Sequence, residues 1–131
     1  MAIIGIGLDM VELSRMERSL RRFGGHFLER IMGDEERRAV PGDPAAPTPR
    51  AVAHVAARFA VKEAAVKALG TGFADGIGPR DVAVRSFPSG KPELVLSGRA
   101  RERADALGVA SLHVTITHTR DNAAAVVILE G

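Results

Sequence analysis

The stretch from Arg58 to Gly72, RFAVKEAAVKALGTG, carries four charges in a setting that does not suit them. Ala, Val, Leu, Lys and Glu dominate it, so it reads as a helix, and Gly70-Thr71-Gly72 is its stop signal. At about 100° per residue, Val52, Val55, Phe59, Val66 and Leu69 share one side of a helix begun a little earlier, at about Arg50. Arg58, Lys62, Glu63 and Lys67 fall in or beside that bulky stripe, while Ala57, Ala60, Val61, Ala64 and Ala68 opposite offer no solvated face. A helix apolar nearly all round is usually buried, and buried charges need partners. Arg58 and Lys62 are also like charges four apart, which is mildly destabilising unless an anion sits between them. Two readings stand on these residues. One is a core helix with a Glu63–Lys67 pair at i,i+4 and snorkelling basic chains. The other is a site for an anion and a metal.

Asp9 is the second carboxylate of interest. It ends Ile3 to Leu8, IIGIGL, a short β-branched apolar run that reads as a buried strand. Glycines at positions 5 and 7 let another element approach the backbone closely. GIGLDM is not GxGxxG, so the dinucleotide reading fails. Asp9 is then either a turn or N-cap residue or a carboxylate aimed into a cleft at the strand end. His118 falls on the apolar side of a strand near its end, and His54 on the Ala-rich side of the long helix, where it reads as packed or surface. The Gly-rich Gly70 to Arg80 could cradle a phosphate on backbone N–H groups, although it lacks the GK[ST] of a P-loop.

The elements that position these groups follow in order. Ser14 to Phe23 reads as a helix with Leu13, Met16 and Leu20 on its apolar side and Arg15, Arg18 and Arg22, with Arg21 beside them, as a basic stripe suited to solvent or to an acidic partner. Gly24-Gly25 breaks the chain, and Phe27 to Val40 reads as a second helix whose Asp34-Glu35-Glu36-Arg37-Arg38 looks like surface. Pro41 to Pro49, with four prolines among nine residues, is an extended loop. Val82 to Phe87 and Glu93 to Ser97 form a hairpin around Pro88–Pro92, and Gly98 to Leu107 is a helix capped by Gly108. Leu112 to Thr119 alternates, with Leu112, Val114 and Ile116 one way and His113, Thr115 and Thr117 the other. Ala123 to Leu129 reads as a strand buried on both faces. The expected fold is α+β, a largely antiparallel sheet packed with a long central helix, in one domain over residues 1–131.

Composition narrows the function classes. A net charge of +2 is a weak basic bias, and a chain with no Trp, no Tyr and five Phe has few stacking platforms, so no nucleic-acid partner is expected. No Cys means no disulfide or thiolate chemistry, which fits a reducing compartment. The first residues lack the basic region of a signal peptide and meet an Asp early, and no apolar run reaches the roughly 20 residues of a membrane span. The expected location is cytoplasmic, with no membrane partner.

Three separated pieces, GIGLD at 5–9, RFAVKEAAVKALGTG at 58–72 and HVTITHTRDNAAAVVIL at 113–129, together with SGKP at 89–92, resemble the holo-acyl-carrier-protein synthases, the compact bacterial 4′-phosphopantetheinyl transferases. The resemblance runs through nearly the whole chain in the right order. The Pro-rich loop and the spacing through Gly24 to Phe27 depart from the family pattern. The resemblance implies transfer of the phosphopantetheine arm of coenzyme A to a serine of apo acyl carrier protein, with release of adenosine 3′,5′-bisphosphate, in fatty acid or polyketide synthesis. It implies Mg²⁺ held by Asp9 and Glu63, and phosphates neutralised by Arg58, Lys62 and Lys67. His118 would lie near the nucleotide, with Gly70, Thr71, Gly72, Ser89, Gly90, Lys91 and Pro92 on coenzyme-contacting loops. Asp9, Glu63 and Lys67 would be catalytic, with Glu63 the candidate base. The resemblance further implies a homotrimer with sites at the subunit interfaces, and an acidic carrier docking along Arg15, Arg18 and Arg22. Two competitors remain: a coenzyme-binding module without catalysis, which needs the basic residues but not both carboxylates, and a basic interaction protein.

Overall fold

A computed structural model describes residues 1–131. Its organising contact is a helix laid directly on a strand. Strand β1 (Ile3–Glu12) leads into helix α1 (Leu13–Phe23), and the long helix α4 (Pro49–Leu69) packs across β1. Gly5 and Gly7 make this possible. A Cβ at Gly5 would lie 2.1 Å from the carbonyl oxygen of Ala68, and one at Gly7 1.8 Å from that of Ala64. Both distances are far inside contact, so the glycines and the small face of α4 are one solution to one packing problem. Gly7→Ala is therefore expected to destabilise the fold by about 3 kcal/mol or more, since the clash is with main chain that cannot step aside. Urea unfolding would measure it, and an unchanged midpoint would mean that strand and helix are not held this closely.

Strand β5 (Asn122–Glu130) pairs antiparallel with both β1 and β4 (Ser111–His118), giving the sheet order β1-β5-β4. Strands β2 (Val82–Ser86) and β3 (Pro92–Leu96) form a separate antiparallel ribbon, and α5 (Gly98–Leu107) ends at Gly108, with φ 81°. The α+β class and both hairpins match the expectation from sequence. Helix α4 starts at Pro49, behind Thr48, whose Oγ1 accepts a hydrogen bond from Ala51 N at 3.1 Å. It ends at Gly70, in the left-handed region at φ 78°. Thirteen of its 21 residues are buried, which confirms the helix with no solvated face. The Pro-rich segment is a loop, turned by Asp43 Oδ1 accepting from Ala45 N at 2.9 Å and anchored by buried Pro47. No helix is long and apolar enough to cross a membrane.

Three expectations need correction. The helix expected over Phe27 to Val40 is two, α2 (Gly25–Ile31) and α3 (Asp34–Arg38), because Met32 and Gly33 are extended. The break buries Met32 completely and turns Glu36 inward, so Glu36 is not the surface residue that its charged neighbours suggest. Strand β5 buries one face only: Ala123, Ala125, Val127 and Leu129 are buried, and Ala124, Val126 and Ile128 are half-buried. Nothing in the chain covers that second face. On β1 it presents Ile6, Leu8 and Met10, which are 64%, 62% and 65% exposed.

Candidate active site

The period of two that sets Gly5 and Gly7 against α4 also puts Asp9 on that side of β1, one step further along the helix. There it meets Lys67, whose Nζ donates to Asp9 Oδ1 at 3.0 Å and to the carbonyl oxygen of Leu8 at 3.1 Å. Glu63, one turn before Lys67, shares a cleft of about 420 Å³ with Asp9, Arg15, Ser19, Phe27 and Phe59. Burial pushes the Glu63 carboxyl up from its ordinary value, the Asp9 charge adds to the rise, and Lys67 partly opposes it. The Glu63–Lys67 pair expected from i,i+4 spacing does not form, since Lys67 turns to Asp9. Asp9 and Glu63, two carboxylates of unequal environment at one cleft, with the Lys67 ammonium on Asp9, are suited to binding a cation and to moving a proton.

Lys62 is not part of this cleft. Its side chain is 0% exposed, and Nζ donates to Glu36 Oε1 at 3.0 Å, to the Pro79 carbonyl at 3.0 Å and to the Val82 carbonyl at 2.7 Å. Burial lowers its pKa and the Glu36 charge opposes that shift. Every donor is taken within the protein, so the phosphate contact expected of Lys62 gives way to a buried ion pair.

A second cleft, of about 440 Å³, is lined by Arg50, His54, Arg58, Gly90, Pro92, Ile116 and His118, among others, and shares no residue with the first. No carboxylate lines it. The hairpin tip contributes through Gly90, at φ 88°, while Ser89 and Lys91 stand exposed beside it. Arg58, which also borders a neighbouring groove, donates from Nη2 to Ser86 Oγ there at 3.1 Å. Sequence reasoning passed over Arg50 and set His54 aside. The available signal was the i, i+4, i+8 spacing of Arg50, His54 and Arg58 on one helix face.

Gly70, Thr71 and Gly72 line neither cleft; Gly70 and Thr71 lie beside Arg99 and Arg103. Their N–H groups are already used: Gly70 N donates to the Lys67 carbonyl, and Thr71 N and Gly72 N both donate to that of Val66. Of the Gly70 to Arg80 stretch expected to cradle a phosphate, these three amides are thus taken by the helix cap. A helix C-terminus also repels anions. Of the two arginines there, Arg99 pairs with Glu102 at 3.3 Å and Arg103 Nε donates to the Leu69 carbonyl at 3.1 Å. On α1, Arg15, Arg18, Arg21 and Arg22 are all exposed; of the four only Arg21 makes an ion pair, to Glu17 at 3.7 Å.

A family model of the 4′-phosphopantetheinyl transferase superfamily matches residues 5–127. The chain belongs to that superfamily. Within the phosphopantetheinyl transferases it is similar to the holo-[acyl-carrier-protein] synthase of Nitratidesulfovibrio vulgaris, 56% identical over 128 residues that cover 98% of each chain. The holo-[acyl-carrier-protein] synthase of Alkalilimnicola ehrlichii is 45% identical over 98% of this chain and 97% of its own. Among solved structures, the synthase of Bacillus anthracis in complex with CoA (3′,5′-ADP) superposes with a TM-score of 0.78 at 36% identity, covering 97% of this chain and 96% of that one. The Helicobacter pylori synthase in complex with coenzyme A superposes with a TM-score of 0.81 at 30% identity, covering 95% and 99%.

Proposed function

We propose that this phosphopantetheinyl transferase moves the 4′-phosphopantetheine arm of coenzyme A onto a serine hydroxyl of an apo acyl carrier protein and releases adenosine 3′,5′-bisphosphate. The observation that carries the reading is the meeting of Asp9 and Glu63 at one cleft, with Lys67 paired to Asp9, in a chain whose full-length relatives bear the synthase name. The acceptor serine Oγ attacks the β-phosphorus, and the bond from that phosphorus to the bridging oxygen breaks, leaving the α-phosphate on the adenosine product. Glu63 takes the serine proton. In the metal-free protein burial and the Asp9 charge raise its pKa, which favours uptake of a proton there.

The donor set fits Mg²⁺. No cluster of three or more His, Cys, Asp or Glu side chains exists, so a metal that needs a full protein cage is a poor match. Mg²⁺ is bound through one or two carboxylates, with water and substrate phosphates completing the shell. Asp9 and Glu63 would hold it, and it would supply charge neutralisation at the diphosphate. Lys67, 52% exposed beside Asp9, is free to add its charge to an entering phosphate. Arg58, Gly90, Pro92 and His118 would receive the rest of the coenzyme in the second cleft, with Ser89 and Lys91 at its rim.

One chain displays the two clefts without a shared residue, and its outer sheet face is apolar and uncovered. Exposed apolar patches of this kind mark interfaces. Both observations support a homotrimer in which a cleft of one copy is completed by its neighbour. Sedimentation is expected to give three chains per particle, and replacing Leu8 with Lys should dissociate it; a stable monomer with full activity would overturn the assembly.

Arg15, at the lip of the carboxylate cleft, and Arg18 and Arg22 along the same helix would guide an acidic carrier. Arg15→Glu with Arg18→Glu is expected to raise KM for the carrier about tenfold or more at low salt, with coenzyme affinity unchanged. An unchanged KM would place docking elsewhere. The reading as a whole is tested by incubating the protein with coenzyme A, Mg²⁺ and apo acyl carrier protein and weighing the carrier. A gain of one phosphopantetheine is expected, and no gain would overturn the reading.

A further inference from the structure

His54 is the least settled polar group in the molecule. It projects from α4 one turn from Arg50 and one turn from Arg58, and its ring stands in the wall between the second cleft and a larger groove on the other side of Arg58. Its Nε2 is shut off from solvent and has no hydrogen-bond partner. A buried unsatisfied nitrogen is costly, and few persist in a fold without a purpose. The second cleft holds His54 among Arg50, Arg58 and His118, with no carboxylate at all. The charges facing it from the larger groove are Glu35 and Glu36 on α3, Arg85 on β2 and Glu93 on β3, and Arg85 and Glu93 bind each other at 2.9 Å.

We infer that His54 is a further ligand-binding residue of this cleft, which joins Arg50 and Arg58 in holding a phosphate monoester dianion and takes up a proton as it does so. The inference rests on the coenzyme reading above and extends it, since coenzyme A carries one phosphate monoester, at the 3′ position, besides its diphosphate. The diphosphate suits the carboxylate cleft, where a divalent cation can bridge to it. The monoester suits a cleft with no carboxylate to repel it. In the empty protein the imidazole is neutral: burial, then Arg58, then Arg50 push its pKa down to about 4. The acids in the larger groove do not offset them. A dianion seated between the two guanidiniums reverses that balance. It cancels the repulsion and offers oxygens to the ring, and an opposite charge within a few ångströms favours the charged imidazole. A turn about the side-chain bonds of His54 brings Nε2 to the cleft, and the buried nitrogen gains its partner.

The test is calorimetric titration of the full chain with coenzyme A and with 3′-dephospho-coenzyme A, at about pH 6.5 in two buffers of different ionisation heat. The phosphate itself titrates near pH 6, so the reading is the difference between proteins. The wild-type protein is expected to take up about one proton more per coenzyme A than His54→Gln, and the Kd of the variant should rise about tenfold for coenzyme A and less than twofold for the dephospho form. His118→Gln should weaken binding yet keep the extra proton. A His54→Gln protein with wild-type proton uptake and affinity overturns the inference while leaving the transferase reading intact. Failure of the wild type to bind coenzyme A overturns both. A second measurement needs no variant: the His54 ring resonance of the wild-type protein should move from its neutral to its charged position when coenzyme A is added. A resonance that stays neutral overturns the inference.

Discussion

Glu63→Gln is expected to lower the rate of arm transfer by about 10²–10⁴-fold while leaving the protein at least as stable as the wild type at neutral pH. The two halves of this expectation come from the same observation. Burial and the Asp9 charge both raise the Glu63 pKa, so the folded protein binds a proton there more readily than the unfolded chain does. A carboxyl whose folded pKa is raised contributes stability below its unfolded pKa and loses it as pH rises through the folded value. At neutral pH the ionised Glu63 therefore opposes folding, and a neutral glutamine of the same shape removes that opposition. A structural carboxylate would behave in the reverse way, with activity lost because the fold is weakened.

Asp9→Asn separates the two roles. Asp9 is a ligand in this reading, so raising Mg²⁺ should restore part of its rate, while Glu63→Gln loses the proton acceptor too and should not be restored. The lost Asp9–Lys67 contact costs little stability, because Lys67 is half in solvent and exposed pairs are worth about 1 kcal/mol or less. In the metal-free protein the stability advantage of Glu63→Gln should shrink as pH falls, since protonating Glu63 removes the same opposition to folding. Thermal melting beside a single-turnover assay measures all of this. A Glu63→Gln protein that transfers at the wild-type rate would remove both duties from this carboxylate.

Asp9 and Glu63 stood out in the sequence as carboxylates beside apolar runs, but Asp9, read there as ending its strand, lies within β1, which runs on to Glu12. Gly5, Gly7 and Asp9 alternate on a strand, and only one face of that strand could admit a helix. Lys67 was legible as a charge but not as a partner of Asp9, since nothing local says which of two nearby carboxylates an ammonium chooses. Lys62 was misplaced for a reason the helix geometry already contained. At about 100° per residue it lies about 140° from Lys67, so the two lysines cannot serve one cleft. Its true partner, Glu36, was hidden because the helix break at Met32 and Gly33 is decided by burying Met32 and not by a strong local stop signal. The Gly70–Gly72 loop misled in the opposite direction: its glycines are there to close the helix, and that use consumes the N–H groups a phosphate would need.

Lys62→Met is expected to destabilise the fold by about 3–5 kcal/mol, a large part of the roughly 5–15 kcal/mol that holds an ordinary domain together. The pair it breaks is almost completely enclosed, with side chains 0% and 4% exposed. Glu36 Oε2 accepts from Val84 N at 3.1 Å and Oε1 from Gly33 N at 3.2 Å, while Lys62 reaches back to the Pro79 and Val82 carbonyls, so α3, α4, β2 and the turn at Pro79–Asp81 meet at one ion pair. Removing the ammonium leaves a buried carboxylate with two backbone donors and no paired cation, with Arg58 the remaining positive charge that acts on it. Glu36→Gln should cost less, because Lys62 keeps two carbonyl acceptors and the amide can still face Val84 and Gly33. Combining Lys62→Met with Glu36→Leu should cost clearly less than the sum of the singles, since a buried pair replaced by apolar groups of similar volume is often nearly neutral. The pair is out of reach of salt, so the wild-type midpoint in urea should hold nearly constant between low and high ionic strength as far as this contact is concerned. Additive single costs in a double-mutant cycle would mean that Lys62 and Glu36 act separately, and a Lys62→Met protein of unchanged stability would put Lys62 back in reach of a ligand.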